Sequence, residues 1–314
     1  STMMIMRSAS RLLLQHRTCG SRHLSSSPAS ISSLFNPTEE HGALRDMLKT
    51  FVAKEVEPQA LEYNRNEKFN VNLFRRLGSE LGILGLTVEE GYGGSDFDAT
   101  AVALVHEELS YSDPAFCLSY LAHSLLFVNN LQVNGSHEQK SKFLPNACNG
   151  SSIGGMGMSE PNAGTDVLGM KTNASIDEEA GGWILNGTKM WITNGTISGE
   201  DTGDFFLVYA RTGSGRTDIT QFVVEKDMPG FSLGQKINDK LGMRASMTAE
   251  LVFDNVFIPK SNMVGNVNEA TLCMMRNLEI ERIGLAAMAL GIARRCIDEM
   301  NMYAQDRSAF GSKN

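Results

Sequence analysis

Among the acids of this sequence, Glu281 is set apart by its neighbours. Along its own face of a helix lie Met274 and Leu278 before it, and Leu285, Met288 and Ile292 after it, all apolar. A carboxylate in an apolar stripe is costly unless it is protonated or paired. Burial would raise its pKa towards the range of a general base. A helix turned so that Glu281 lies at a solvated edge is the equal alternative. Glu279 differs: Arg276 and Arg282 are its i±3 neighbours, so a surface ion pair is expected there.

A second candidate is the run Met156, Gly157, Met158, Ser159, Glu160, Pro161, Asn162, Ala163, Gly164 and Thr165. Its small and turn-forming residues expose backbone N–H and C=O groups, and Ser159 and Thr165 add hydroxyls, so it could hold the polar edge of a flat ring. Taken alone, such a run is more often a plain strand connection. It is neither a G-x-G-x-x-G fingerprint nor a P-loop. A third is Lys189-Met-Trp-Ile-Thr-Asn-Gly195, in which Trp191 could lie against an aromatic cofactor or be a core residue of a hairpin. No metal site is expected: the five cysteines form no C-x-x-C pair, and the six histidines show no ligand spacing. The odd cysteine count also points to a reducing compartment rather than a disulfide framework.

Three kinds of segment would position these residues. From Thr38 to Leu144 the apolar period is helical. Leu44, Met47, Leu48, Phe51, Val52 and Val56 form one stripe that Pro58 should end or kink, and further helices are expected over 71–81, 100–110 and 136–143. From Ile153 to Pro259 the pattern is β: 183–185 and 189–193 flank Asn186-Gly187, a hairpin signal, and 205–210, 221–224 and 249–253 read as strands. From about Ala270 the chain is helical again, with one helix over roughly 272–304 whose stripe cannot be buried alone. The expected fold is therefore multi-domain α+β: an N-terminal all-α domain (36–150), a middle β-barrel domain (151–260) and the start of a C-terminal α-helical bundle (261–314), incomplete at Asn314.

Residues 1–35 stand apart. Arg7, Arg11, Arg17 and Arg22 are spaced through leucines and serines with no acid before Glu39, the composition of a mitochondrial transit peptide, with cleavage expected near Leu24. The net charge of −8 argues against general affinity for nucleic acid. The longest smooth apolar run, near 284–293, is about half the length of a membrane span.

Met158-Ser-Glu-Pro-Asn-Ala-Gly-Thr-Asp166, Lys189-Met-Trp-Ile-Thr-Asn-Gly195, Lys240-Leu-Gly-Met-Arg-Ala-Ser246, Leu278-Glu-Ile-Glu-Arg282 and Arg307-Ser-Ala-Phe-Gly311 occur in one order. Together they resemble the acyl-CoA dehydrogenase family over about 37–314. Ser119-Tyr-Leu-Ala-His-Ser124 is similar to its isovaleryl branch.

The resemblance implies FAD as cofactor, with Met156–Thr165 and Trp191, Ile192 and Thr193 at the flavin and Arg307 at the FAD pyrophosphate of a neighbouring subunit in a homotetramer. It implies Thr165, Leu272, Glu279, Ile280, Glu281 and Arg282 at the acyl-CoA. Most members carry the catalytic glutamate in a later loop, whereas the isovaleryl branch has it on the helix, at the position of Glu281. The implied reaction is α,β-dehydrogenation of a short branched acyl-CoA, isovaleryl-CoA to 3-methylcrotonyl-CoA in leucine catabolism, in the mitochondrial matrix. Glu281 would take the α-proton, its backbone N–H would bind the thioester carbonyl, and electron-transfer flavoprotein would receive the electrons. Three residues depart from the pattern: Thr165 replaces a serine, Glu279 an aspartate and Leu272 a tyrosine, losing a hydrogen-bond donor. Two other readings are a relative with its base in a later loop, and an inactive fragment.

Overall fold

The computed structural model describes residues 36–310 and 312–313; residues 1–35, expected above to be a transit peptide, lie outside the described residues. The first helix, α1 (Glu39–Phe51), starts at Thr38, whose side chain accepts from the His41 N–H, and carries Glu39 and Glu40 in its positive first turn. Its stripe of Leu44, Leu48, Phe51, Val52 and Val56 is buried, as the period requires. Pro58 does not end this helical path. A π-turn over Val52–Val56 leads into α2 (Glu57–Arg65), with Glu57 N–H bonded back to Val52. Pro58, which has no N–H to give, stands in the first turn after this wide one, where its missing donor costs least.

The helices α3 (Val71–Ser79), α4 (Ala99–Ser112) and α7 (His137–Cys148) lie where the period placed them. Between them the structure adds α5 (Pro114–Leu121), a π-turn (Ala122–Asn129) and α6 (Asn130–Asn134). The added stretch is buried almost all round, so it has no polar face to give a period. Its start is nevertheless capped, Asp113 accepting from the Phe116 N–H at 3.0 Å with Pro114 following.

The middle segment forms one sheet of β1 (Gly154–Gly157), β2 (Asn173–Asp177), β3 (Gly182–Thr193), β4 (Phe205–Arg211), β5 (Ile219–Glu225), β6 (Phe231–Lys236), β7 (Thr248–Pro259) and β8 (Met263–Val264). The pairing order β6-β7-β3-β2-β4-β5-β8, with β1 beside β4, is an open path rather than a closed barrel. Asn186-Gly187 is no hairpin. β3 runs straight through it, and the pair forms an irregularity against β7 with Gly187 at φ +140°. A β-carbon at Gly187 would stand 2.7 Å from the Thr172 Cα, so the β2–β3 approach also needs glycine there. The chain instead turns at residues 178–181, between β2 and β3.

The last long element is α8 (Ala270–Asp306), 37 residues. It lies against α4 and the Ala122–Asn129 π-turn, and two glycines allow the approach: a β-carbon at Gly291 would stand 2.2 Å from the Glu107 carbonyl oxygen of α4, and one at Gly284 2.8 Å from Leu125 Cδ1 of the π-turn. Arg294 from α8 and Arg45 from α1 both reach Glu107 and Glu108 of α4, tying three helices together. The opposite side of α8 leaves Leu272, Met275, Ile283, Leu285, Leu290 and Ile297 exposed. No helix of the described residues is long and apolar enough to cross a membrane.

Candidate active site

Glu281 sits well inside α8, on the side turned to the rest of the molecule. The buried residues around it are Met274 and Asn277 before, and Gly284 and Met288 after. The apolar stripe read from sequence overlaps this face only in part: Leu285 points to solvent, and the true face carries small and polar residues. The Glu281 Oε2 is buried and has no hydrogen-bond partner among the described residues. Burial raises its pKa, and the neighbouring Arg282 offsets this in part. One expectation fails here. The Glu281 backbone N–H lies in the interior of an α-helix, so it is engaged in the i→i−4 ladder and is not free for a thioester carbonyl. The ion pair expected for Glu279 is not formed either; the pairs α8 makes come from Arg294 and Arg295, further along.

The loop after β1 comes to the same place. Met156 and Met158 share a cluster with Met170, Tyr209, Met274 and Leu278, so the loop's first residues pack against the helical turn just before Glu281. Within the loop, Glu160 and Ala163 exchange backbone hydrogen bonds of 3.0 and 3.1 Å, closing a tight turn with Pro161 and Asn162 exposed at its tip. The Glu160 carboxylate turns inward. It accepts from the backbone N–H groups of Lys171 and Thr172 at 2.6 and 2.9 Å, and from Lys189 Nζ at 2.8 Å. Lys189 is fully buried and also donates to the Met158 carbonyl at 3.0 Å. The pair is asymmetric: burial brings the Lys189 ammonium down to about 8, while the nearby ammonium holds Glu160 below the usual carboxylate range although burial opposes it. Its carboxylate therefore braces the loop from beneath. Sequence reading missed Lys189 as this brace; the available signal was a lysine at an inward position of a strand.

Above the brace, the loop and β3 present an open strip. Met190 N–H donates to the Ser159 carbonyl at 2.9 Å, which sets the loop beside Trp191. Trp191 is no core residue. It is 52% exposed, with φ +60°, in a second irregularity between Lys189 and Ile192 that turns its side chain outward. Ile192 beneath it is buried, Thr193 is half-buried, and Gly164 and Thr165 are exposed, with nothing within 4 Å of a β-carbon built at Gly164. An outward indole, a glycine with open space above it and hydroxyls at Ser159, Thr165 and Thr193 fit a flat ring with polar edges, as the flavin of FAD has.

The remaining expected residues are spread along α8. Ile280 packs on the N-terminal core, whereas Leu272, Glu279 and Arg282 are exposed. Arg307, just past the helix end, is exposed and donates to the Tyr303 hydroxyl at 2.9 Å. At 1.5 Å per residue it is about 39 Å from Glu281 along the axis, too far to share one site within the chain. Sequence reading also missed a buried relay under this turn: Thr87 donates to Asn129 at 2.8 Å and Asn129 to Asn277 at 3.1 Å. No sequence period marks three polar residues so far apart in the chain. Among the described residues no group of His, Cys, Asp or Glu is placed to hold a metal ion.

Comparison with known proteins matches residues 38–151 to the acyl-CoA dehydrogenase N-terminal domain, 155–256 to the middle domain and 271–314 to the C-terminal domain. The mitochondrial isovaleryl-CoA dehydrogenase of Solanum tuberosum is 41% identical over 286 residues, covering 90% of this chain and 67% of the relative. Butyryl-CoA dehydrogenase from Megasphaera elsdenii superposes with a TM-score of 0.82 at 35% identity, over 88% of this chain and 71% of that one. A glutaryl-CoA dehydrogenase from Mycobacterium smegmatis, solved in complex with FADH2, superposes with a TM-score of 0.80 at 32% identity, over 88% and 68%. The chain spans 64 to 69% of the length of its curated isovaleryl-type relatives. With all three domain models matched in order and the fold shared, this chain belongs to the acyl-CoA dehydrogenase family.

Proposed function

We propose that this protein is an FAD-dependent acyl-CoA dehydrogenase acting on a short branched thioester, isovaleryl-CoA, with Glu281 as the base. The observation that carries the reading is the buried, unpartnered Oε2 of the half-buried Glu281, just past the turn of α8 that shares a cluster with Met156 and Met158. A carboxylate whose pKa is raised by burial is a stronger base than one in water, and an α-proton next to a thioester needs one. FAD, when bound, supplies the acceptor for the hydride that leaves Cβ. Met156, Gly157, Met158, Ser159, Ala163, Gly164 and Thr165, with Trp191, Ile192 and Thr193, would hold the flavin. Glu160 acts below it through Lys189.

Leu272, Glu279, Ile280 and Arg282 flank Glu281 on α8 and would border the acyl-CoA. Arg307 would serve the FAD of a neighbouring subunit, a role that its separation from Glu281 supports and that requires a homo-oligomer, a tetramer in this reading. Electron-transfer flavoprotein is the proposed acceptor and the mitochondrial matrix the proposed location, supported by the Arg- and Ser-rich first 35 residues.

Anaerobic bleaching of the flavin by a panel of thioesters tests the substrate. Isovaleryl-CoA should bleach fastest, with butyryl-CoA and 2-methylbutyryl-CoA at least about ten-fold slower, the discrimination one methyl group can give. Faster bleaching by either of the others would move the substrate assignment and favour a base outside α8.

A further inference from the structure

Another unpartnered buried atom, His106 Nε2, stands beside Gly284, one turn of α8 from Glu281. His106 is fully buried on α4, on the side packed against α8. Its Nδ1 is 2.7 Å from the Val102 carbonyl oxygen, which can only accept, so Nδ1 carries the proton and Nε2 is a bare acceptor. Nε2 is buried and has no partner among the described residues. Its direction is given by Gly284: a β-carbon built there would stand 3.4 Å from Nε2. Glu281 precedes Gly284 by three residues on the same face of α8, and β-carbons three apart on a helix are about 5–6 Å from one another. In this structure Glu281 Oε2 and His106 Nε2 each lack a partner among the described residues, and a glutamate arm is long enough to span the separation once it turns toward Nε2.

Ionised Glu281 offers only acceptors and has nothing to give the imidazole. Once it has taken a proton it becomes a donor, and Nε2 is the acceptor turned to its face of the helix. We propose that His106 is a positioning residue for the base: its Nε2 accepts a hydrogen bond from Glu281 in the protonated state that follows α-proton abstraction. The inference rests on the assignment of Glu281 as base. It also accounts for a histidine kept where an apolar residue would leave no acceptor unpaired.

The other titratable groups around the pair do not obscure this. Tyr209 on β4 is pushed well above its usual range by burial and in smaller part by the Glu281 charge, Tyr120 and Cys117 on α5 are pushed up by burial, and burial raises Cys273 on α8. His106 itself is brought down to about 4 by burial, so it stays neutral wherever Glu281 titrates above it. Arg282 is the remaining charge beside Glu281.

The test compares wild type, His106→Leu, His106→Gln and Glu281→Gln as FAD-loaded proteins. A bond to the neutral acid raises the pKa of the base, so losing it lowers that pKa. His106→Leu should therefore bleach about ten-fold more slowly with isovaleryl-CoA, with the pH midpoint of the rate moved down by about one unit, the size of one hydrogen bond. Its melting temperature should not fall, because an unpaired acceptor has been removed. His106→Gln, which keeps an acceptor, should recover most of the rate. In the protein without substrate, the 15N resonance of His106 Nε2 should shift when Glu281 becomes glutamine. An unchanged midpoint in His106→Leu, or an unmoved Nε2 resonance, overturns the proposal. If Glu281→Gln bleaches normally, the base assignment fails instead.

Discussion

Glu160 and the half-buried Glu281 meet opposite fates, and their partners explain why. Glu160 accepts two backbone N–H groups and the Lys189 ammonium, and its pKa falls despite burial. Glu281 has an oxygen bonded to nothing, and its pKa rises. The first is bound into the structure, and the second is free to act. Glu281 binds a proton more readily in the folded chain than in the unfolded one. Its contribution to stability is therefore complete below the unfolded value of 4.5 and is lost as pH rises through the higher folded value. Glu281→Gln should consequently raise the melting temperature, by more at pH 8 than at pH 5. Equal melting temperatures at pH 8, or a lower one for the variant, would mean that the carboxylate is paired or solvated.

At the scale of elements, α8 and α4 hold the site's geometry. They touch where both have little bulk: at Gly291 an added methyl would meet the Glu107 carbonyl oxygen and the Ser110 Oγ, both at 2.2 Å. Gly291→Ala should cost about 1–3 kcal/mol, the usual size of overpacking, seen as a lower urea midpoint. A midpoint equal to wild type would show that the helices can part there without loss. The same elements show what the sequence makes legible. The long helix, the first helix and three of the inner strands were marked by period and composition. The stretch 114–134 was not, because a helix buried on every side has no polar face. Asn186-Gly187 reads as a hairpin in any short window, and only its pairing with β7 shows it to be an irregularity within a twelve-residue strand. Glu281 was visible from its apolar neighbours. Lys189 and His106 were not, since their meaning depends on atoms far away in sequence.

At the scale of the whole molecule, the site exists only where three segments meet. The β1 loop supplies the ring-facing strip, β3 the indole and the buried lysine, and α8 the carboxylate; α4 fixes α8 in place. Resemblance to a family could carry roles to positions along the chain, but it could not say that Glu160 faces inward or that the Glu281 N–H is already engaged. The other side of α8 leaves a row of large apolar residues exposed, and a helix 37 residues long has room for partners on that side. The central claim is that one carboxylate at this junction removes the α-proton. Its most direct test is anaerobic bleaching of bound flavin by isovaleryl-CoA in wild type and in Glu281→Gln, at equal flavin content. The account predicts a loss of about 10³-fold in the variant with the flavin spectrum retained, the range for removing a general base. A variant that retains its flavin and bleaches at the wild-type rate would contradict it.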